Sequence, residues 1–452
     1  MTAEPMTAEP MFDADPWVLN GNGAWCWYQD ERALVDPDRG LLMVGSVAAP
    51  EGDDGEARAG NVELTVTELN TGRSEVVVLH ENLEADDHNA PALWRRRDGR
   101  WLAVYAKHKT DNHTRWRISE PHDPTTWGPE QTFDWTELTG GRGVTYANLH
   151  EMDGRLYCFA RAINDDACAL VSDDEGDTWS FAGKLFDRPK VGYVNGYCRY
   201  DDSSRGSAGA GREGAGHGGA GRIDIITTDH HPRNFNNSIY HGYLAAGALH
   251  DSGGAVVDPH ALSGDAPDQA ELTTVFAADS VWHGEKMTRA WTTDIRRVGP
   301  AVAATFTTRA NDEPENTRFD DHRFFYARSD GGGPWQVHQV ANAGRALFPH
   351  EEDYTGLIAI DPYDVDSVYA ATHIDPRDGG ELAHHEIFHG RTLDAGGTWT
   401  WTPVTQDSGM DNLRPIVVPG DPGRVVLLWF RGTMTSSQHY DCEIAAHVRP
   451  RG

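Results

Sequence analysis

The amino-acid sequence predicts an all-β chain folded as a single seven-bladed β-propeller. Three observations carry that expectation. Apolar runs are short and bounded by turn residues, with little helical periodicity. One eight-residue turn motif returns along the chain. Its copies lie about one blade apart, and 452 residues divide into roughly seven such units.

In chain order the strand-length runs are LLMVGSV, VELTVTEL, SEVVVL, WLAVYA, RLYCFA, CALVS, RIDIITT, FFYARS, SVYAAT and VVLLWF. Fifteen tryptophans and 48 glycines suit wide sheet packing and many tight turns. The motif S-x-D-x-G-x-T-W is complete from Ser172 to Trp179, and has Thr for Ser from Thr392 to Trp399. Arg328 to Trp335 keeps Asp330, Gly332 and Trp335, and a degenerate copy ends on Thr126-Trp127. These stretches resemble the Asp-box hairpin turn of sialidase-like propellers. The Asp caps turn N–H groups, the Gly takes a positive φ, and the Trp packs between blades, so the motif reports fold and not chemistry. Trp127 and Trp179 are 52 residues apart, and Trp335 and Trp399 are 64 apart. The 156 residues from Trp179 to Trp335 hold about three more units.

A propeller is one domain at any length, because each blade buries its faces on its neighbours. Residues 17–450 are therefore read as one unit whose first strand closes the ring with the last blade. Residues 1–16, which contain a tandem MTAEP, are read as a disordered polar tail. Residues 203–222, nearly all Gly, Ala, Ser and Arg, are read as a flexible surface loop.

Composition narrows the function. A formal charge of −31 argues against nucleic-acid partners, since phosphates are repelled. No run of eighteen apolar residues exists to cross a membrane, and the N-terminus carries no apolar stretch flanked by basic residues. The expectation is a cytoplasmic protein, or a secreted one if the true start is missing, acting as a monomer. Five cysteines without a C-x-x-C pair make neither a disulfide framework nor a zinc ribbon. Only five of the 39 basic residues are lysines (Lys107, Lys109, Lys184, Lys190 and Lys286). Strong acidity with lysine depletion points to work in high salt, where screening relieves self-repulsion; a GC-rich genome also favours arginine. Thermal stability is accordingly expected to rise in molar salt. A melting temperature unchanged from dilute buffer excludes the halophilic reading.

The chemistry begins in DDHNAPALWRRRDGRWLAVYAKH, Asp86 to His108. A two-residue Asp98-Gly99 turn pairs residues whose numbers total 197, and His88 with His108 total 196. Both imidazoles are thus expected at one end of one hairpin. The next hairpin turns at Asp153-Gly154, and there Tyr146 is expected to face Arg161. Taken singly, such residues are usually core or surface groups, and Arg161 has Asp165 and Asp166 as alternative partners. Together they suit β-elimination on a uronic acid. Arginine neutralises the carboxylate and so acidifies the C5 proton; a neutral histidine removes that proton; a tyrosine or a second histidine protonates the departing O4. That reaction requires no metal.

GAWCWYQDERALVD, DDHNAPAL, DGRWLAVYAKH, TYANLHEMDGRLYCFAR, SDDEGDTW, TDHHPRNFNNSIYHGY, NLRPIVV and VVLLWFRGTM follow one another in order. In these motifs, over nearly its whole length, the chain resembles the BNR-repeat propeller family that includes the ulvan lyases. The resemblance implies a seven-bladed lyase cutting a rhamnose–uronate, ulvan-like glycan by β-elimination, leaving 4,5-unsaturated uronyl ends. It implies His88 and His108 as paired active-site histidines, Tyr146 as catalytic tyrosine and Arg161 as carboxylate neutraliser. Base and acid stay open among His88, His108 and Tyr146, with Tyr146 favoured as acid. Asn89 is expected to help hold the carboxylate, and Tyr193, His231 and Arg233 to line the substrate path. Lys190 stands where the family has an aromatic. Some members hold a structural zinc; here its candidate ligands are His230, His231, His241 and Cys198. Two rival readings remain: a sialidase-like glycoside hydrolase, for which no F-R-I-P-like motif is present, and a non-catalytic glycan-binding propeller.

Overall fold

The computed structural model describes residues 15–188, 196–202, 221–310, 321–348 and 351–451. Seven antiparallel sheets form the ring. Blade 1 holds the strands from Ala33–Asp36 to Ser74–His80, and blade 2 those from Ala92–Arg95 to Gln131–Asp134. Blade 3 runs from Thr145–Met152 to Ser180–Lys184, blade 4 from Cys198–Asp201 to Thr273–Phe276, and blade 5 from Val281–Trp282 to Gln336–Gly344. Blade 6 runs from Ile358–Asp361 to Thr400–Pro403. Blade 7 takes Asp411–Val417, Arg424–Ser436 and His439–Pro450, and is completed by Trp17–Asn20 from the other end of the chain. Trp17 pairs with Ala446 and Val18 with Ala445, so the expected ring closure is present. The edge that blade 7 would otherwise expose is thereby paired. No described helix is long and apolar enough to cross a membrane.

The Asp-boxes work as their chemistry predicts. Asp174 accepts from the Thr178 backbone N–H at 2.8 Å, and Asp394 does the same for Thr398 at 2.8 Å. Gly176 has φ +94, and a Cβ there would lie 2.5 Å from Leu102 of blade 2. Each motif tryptophan reaches back to the preceding blade: Trp179 meets Trp116, and Trp399 meets Tyr326. Residues 203–220 and the 1–14 part of the tail lie outside the described residues. Arg222, assigned to the Gly-rich loop from sequence, instead opens the strand Arg222–Thr228.

Between blade 7 and blade 1 the segment 21–32 crosses the middle of the ring. Trp25 and Trp27 are fully buried. Trp27 donates to the Thr355 carbonyl, and Tyr28 stacks on Trp291 of blade 5 at 3.4 Å. Gln29 donates to the His88 carbonyl near blade 2, and the Asp30 N–H donates to Asn148 of blade 3. Glu31 accepts from Arg296 at 2.6 Å and Arg199 at 3.0 Å, inside a buried charge network that includes Asp294. Removing one member would strand a buried charge, so this plug is specified by mutual pairing. GAWCWYQDER is therefore an axial tie that touches blades 3, 4 and 5 and the segments leading into blades 2 and 6.

Candidate active site

The two hairpins read from sequence both carry a register correction. In blade 2 the pairs are Ala92↔Val104, Leu93↔Ala103, Trp94↔Leu102 and Arg95↔Trp101, whose numbers total 196 rather than 197. The reason is a three-residue loop, closed by an Arg96 N–H to Arg100 carbonyl bond of 2.9 Å, with Gly99 at φ +83. His88 and His108 fall on that register. Pairing itself stops at Ala92, because Pro91 has no N–H and Asp87–Asn89 coil into one 3-10 turn. In blade 3 the expected register holds from Met152↔Arg155 to Asn148↔Phe159, then slips so that Arg161 lies opposite Thr145, not Tyr146. The slip is a β-bulge in which Tyr146 takes φ +71, a costly conformation for a tyrosine.

The bulge turns the phenol ring toward its neighbours. His88 and His108 stack face to face, with centroids 3.7 Å apart and planes 11° apart. The Tyr146 ring lies 5.6 Å beyond His88. The Arg161 guanidinium sits 4.9 Å from the Tyr146 ring centre and 5.8 Å from that of Tyr197. Tyr146, Arg161, Tyr197, Phe159 and Tyr200 line one small cavity. The four residues singled out from two adjoining hairpins thus form one cluster.

Arg161 is the least satisfied charge in that cluster. It is 6% exposed. Its hydrogen bonds are long ones, to the Tyr197 hydroxyl at 3.3 Å and the Thr145 hydroxyl at 3.5 Å, and Nε has none. The alternative partners are otherwise engaged: Asp165 with Lys109, and Asp166 with Lys184 and Arg188. No carboxylate among the described residues lies within ion-pair distance of it.

Beneath the histidines are carboxylates that were not singled out from sequence. Asp86 Oδ1 contacts His88 Nδ1 at 2.7 Å, Asp86 Oδ2 contacts His108 Nδ1 at 3.0 Å, and Asp87 Oδ1 lies 2.8 Å from His88 Nδ1. Burial disfavours charge on His88, but the sulfur of Cys26 and both carboxylates outweigh it and raise its pKa well above the usual value. Burial, then the charge of His88, lowers His108 to about 4 against the pull of Asp86. Burial also opposes ionisation of Asp86, yet the two imidazoles hold its carboxyl well below the usual range. Tyr146 is raised well above its ordinary value by burial first and then by Tyr197, with Arg161 opposing. Its buried hydroxyl has no well-formed hydrogen bond.

The remaining expected residues divide. His231 is brought in: its ring meets Tyr197 edge-on at 5.3 Å, and burial followed by Arg233 and Arg161 lowers its pKa to about 3. Asn89 is fully buried and donates to the Glu84 carbonyl at 3.1 Å, a contact that braces the His88 turn. Arg233 pairs with Glu351 at a partly exposed rim. Tyr193 and Lys190 lie outside the described residues. The zinc ligand set does not assemble. His230 packs on Phe235, His241 is held between Ser252 and Asp224, and Cys198 lies against Thr227. No three of these four residues bring ligand atoms within 4.8 Å of one another. The described groups that do converge, each within 4.8 Å, are Cys26, Asp87 and His88, and Asp86, His88 and His108. All five cysteines are free. Tyr197, Asp86 and the Tyr28–Trp291 stack were missed. Only Asp86, two residues before His88 in DDH, carried a visible signal.

The sequence profile of the BNR repeat-containing family matches residues 56–343. This chain belongs to that family. No curated protein matches it in sequence. Among solved structures it is similar to a polysaccharide lyase of a new family, an ulvan lyase, at 11% identity and TM-score 0.63, over 96% of this chain and 97% of that one. It is equally similar to that lyase bound to -[GlcA(1-4)Rha3S]-, at 10% identity and TM-score 0.62, over the same shares of the two chains. At such identities the likeness establishes the shared propeller of this BNR-repeat chain.

Proposed function

We propose that the protein is a polysaccharide lyase that cleaves a uronate-containing, ulvan-like glycan by β-elimination. The observation that carries this reading is Arg161, a buried guanidinium with no carboxylate partner among the described residues, beside paired imidazoles and a bulge-strained tyrosine. A buried cation in that state is costly until an anion arrives, and a uronate carboxylate is such an anion. The lyase solved with a glucuronate–rhamnose sulfate fragment supports the same substrate class.

The pKa values of the two imidazoles are pushed apart, a pattern that assigns roles. His108 is neutral at pH 7 and takes the C5 proton. The C5–H electrons form the C4–C5 double bond, the C4–O4 bond breaks, and O4 takes the Tyr146 hydroxyl proton. Arg161 neutralises the carboxylate and lowers the cost of charge at C5. His88, charged and buried, adds a fixed positive field.

The test is a screen of sulfated and unsulfated uronate polymers in dilute and molar salt, read by the ultraviolet absorbance of the conjugated double bond. Absorbance rising with new reducing ends is expected. Reducing ends without absorbance would make the protein a hydrolase, and binding without turnover would make it a lectin-like propeller. Because His108 must be neutral to act, kcat/KM is expected to fall only as pH drops through about 4, below the ordinary imidazole range. An acidic limb near the usual histidine value would remove His108 as base.

A further inference from the structure

We propose that Asp86 is the positioning residue of this site: its one buried carboxylate clamps the Nδ1 edge of both stacked imidazoles, so that both present Nε2 on the opposite edge. The inference rests on the lyase reading for its kinetic consequence, but not for its geometry. Asp86 is 4% exposed and caps the 3-10 turn, with Oδ1 accepting the His88 backbone N–H at 3.0 Å as well as lying 2.7 Å from the His88 ring nitrogen. Oδ2 lies 3.0 Å from His108 Nδ1 and also accepts from the side-chain amide of Gln438. Gln438 sits in the turn between the last two strands of blade 7, and the neighbouring Ser437 carbonyl accepts the Asp87 N–H. Blades 7 and 2 therefore hold the carboxylate from both sides.

The consequence is a choice of tautomer. A carboxylate accepts only, so each Nδ1 that faces it must carry a proton. For a neutral imidazole that leaves Nε2 bare, which is the state a base requires. Without the clamp a neutral His108 is free to take the other tautomer, with its proton on the very nitrogen that must accept one. The groups around the pair are few: Asp86 faces His88, His108 and Gln438, with Tyr440 behind it. His88 faces Asp87, Cys26 and Tyr146, and His108 faces His88 and Arg161.

The experiment is nitrogen-15 NMR of histidine-labelled full-length protein, with His88 and His108 assigned by His88→Gln and His108→Gln. Wild type is expected to show His108 neutral with its proton on Nδ1. Asp86→Asn replaces one acceptor oxygen with a donor, so His108 should change tautomer. By analogy with an orienting carboxylate in a serine-protease triad, kcat should fall about 10²–10⁴-fold with KM within about twofold. Asp86→Glu should recover part of the rate. A wild-type His108 protonated on Nε2 would overturn the proposal, as would an Asp86→Asn protein with unchanged tautomer and rate, or stoichiometric zinc bound through both Nδ1 atoms. If Asp86→Asn does not fold, the wild-type spectrum alone decides. That spectrum needs no substrate, so an inactive wild type would end the lyase reading and leave the clamp standing.

Discussion

Arg161→Ala is expected to abolish measurable turnover, a loss of about 10³-fold, without unfolding the protein. Both halves follow from how the guanidinium is held. It stands over two tyrosine rings, makes only two long hydrogen bonds to hydroxyls, and has no carboxylate partner among the described residues. Removing it takes away a desolvated charge that the fold itself barely compensates, so the melting temperature should stay level or rise. Under the proposed β-elimination, the reaction loses the group that makes the C5 proton acidic. Arg161→Lys should recover little, because a lysine ammonium lacks the planar fork that reaches Tyr197 and Thr145 together. Steady-state rates and a thermal melt check both statements. A variant turning over at the wild-type rate would remove Arg161 from the chemistry.

Tyr146→Phe is expected to lower kcat by about 10²–10⁴-fold at nearly constant KM. The phenylalanine ring keeps the packing beside His88 and the cation–π contact with Arg161. The lost hydroxyl leaves no buried partner stranded, since it has no well-formed hydrogen bond. Stability should therefore be unchanged, which isolates the loss to proton transfer. Retained activity would pass the acid role to His88, the other protonated group within reach of the stack.

Much of this site was legible in two hairpins. DGRWLAVYAKH and TYANLHEMDGRLYCFAR each announce a turn and two strands, and counting outward from the turn places all four principal residues. The counting failed by one residue in each case, for physical reasons. Gly99 closes a three-residue loop rather than a two-residue one. Tyr146 sits in a bulge, and a bulge leaves no mark in residue type when its positive-φ position is not glycine. The candidate zinc ligands rest on residue type alone; in the structure His230 packs on Phe235, His241 lies between Ser252 and Asp224, and Cys198 lies against Thr227.

What the sequence by itself determined is whatever is written in local rules: strand-length apolar runs, Asp-box turns with their capping carboxylates, the spacing that counts seven blades, and the hairpins that carry the candidate site residues. Only the tertiary structure decided how distant pieces meet. Ring closure brings Gln438 onto Asp86 and lays residues 21–32 across the axis against blades 3, 4 and 5, while nearer packing gives Asp165 to Lys109 and Asp166 to Lys184 and Arg188, and so leaves Arg161 without them. Backbone turns are set by a few adjacent residues. Which charge finds a partner, and which is left without one, depends on contacts between residues tens to hundreds of positions apart.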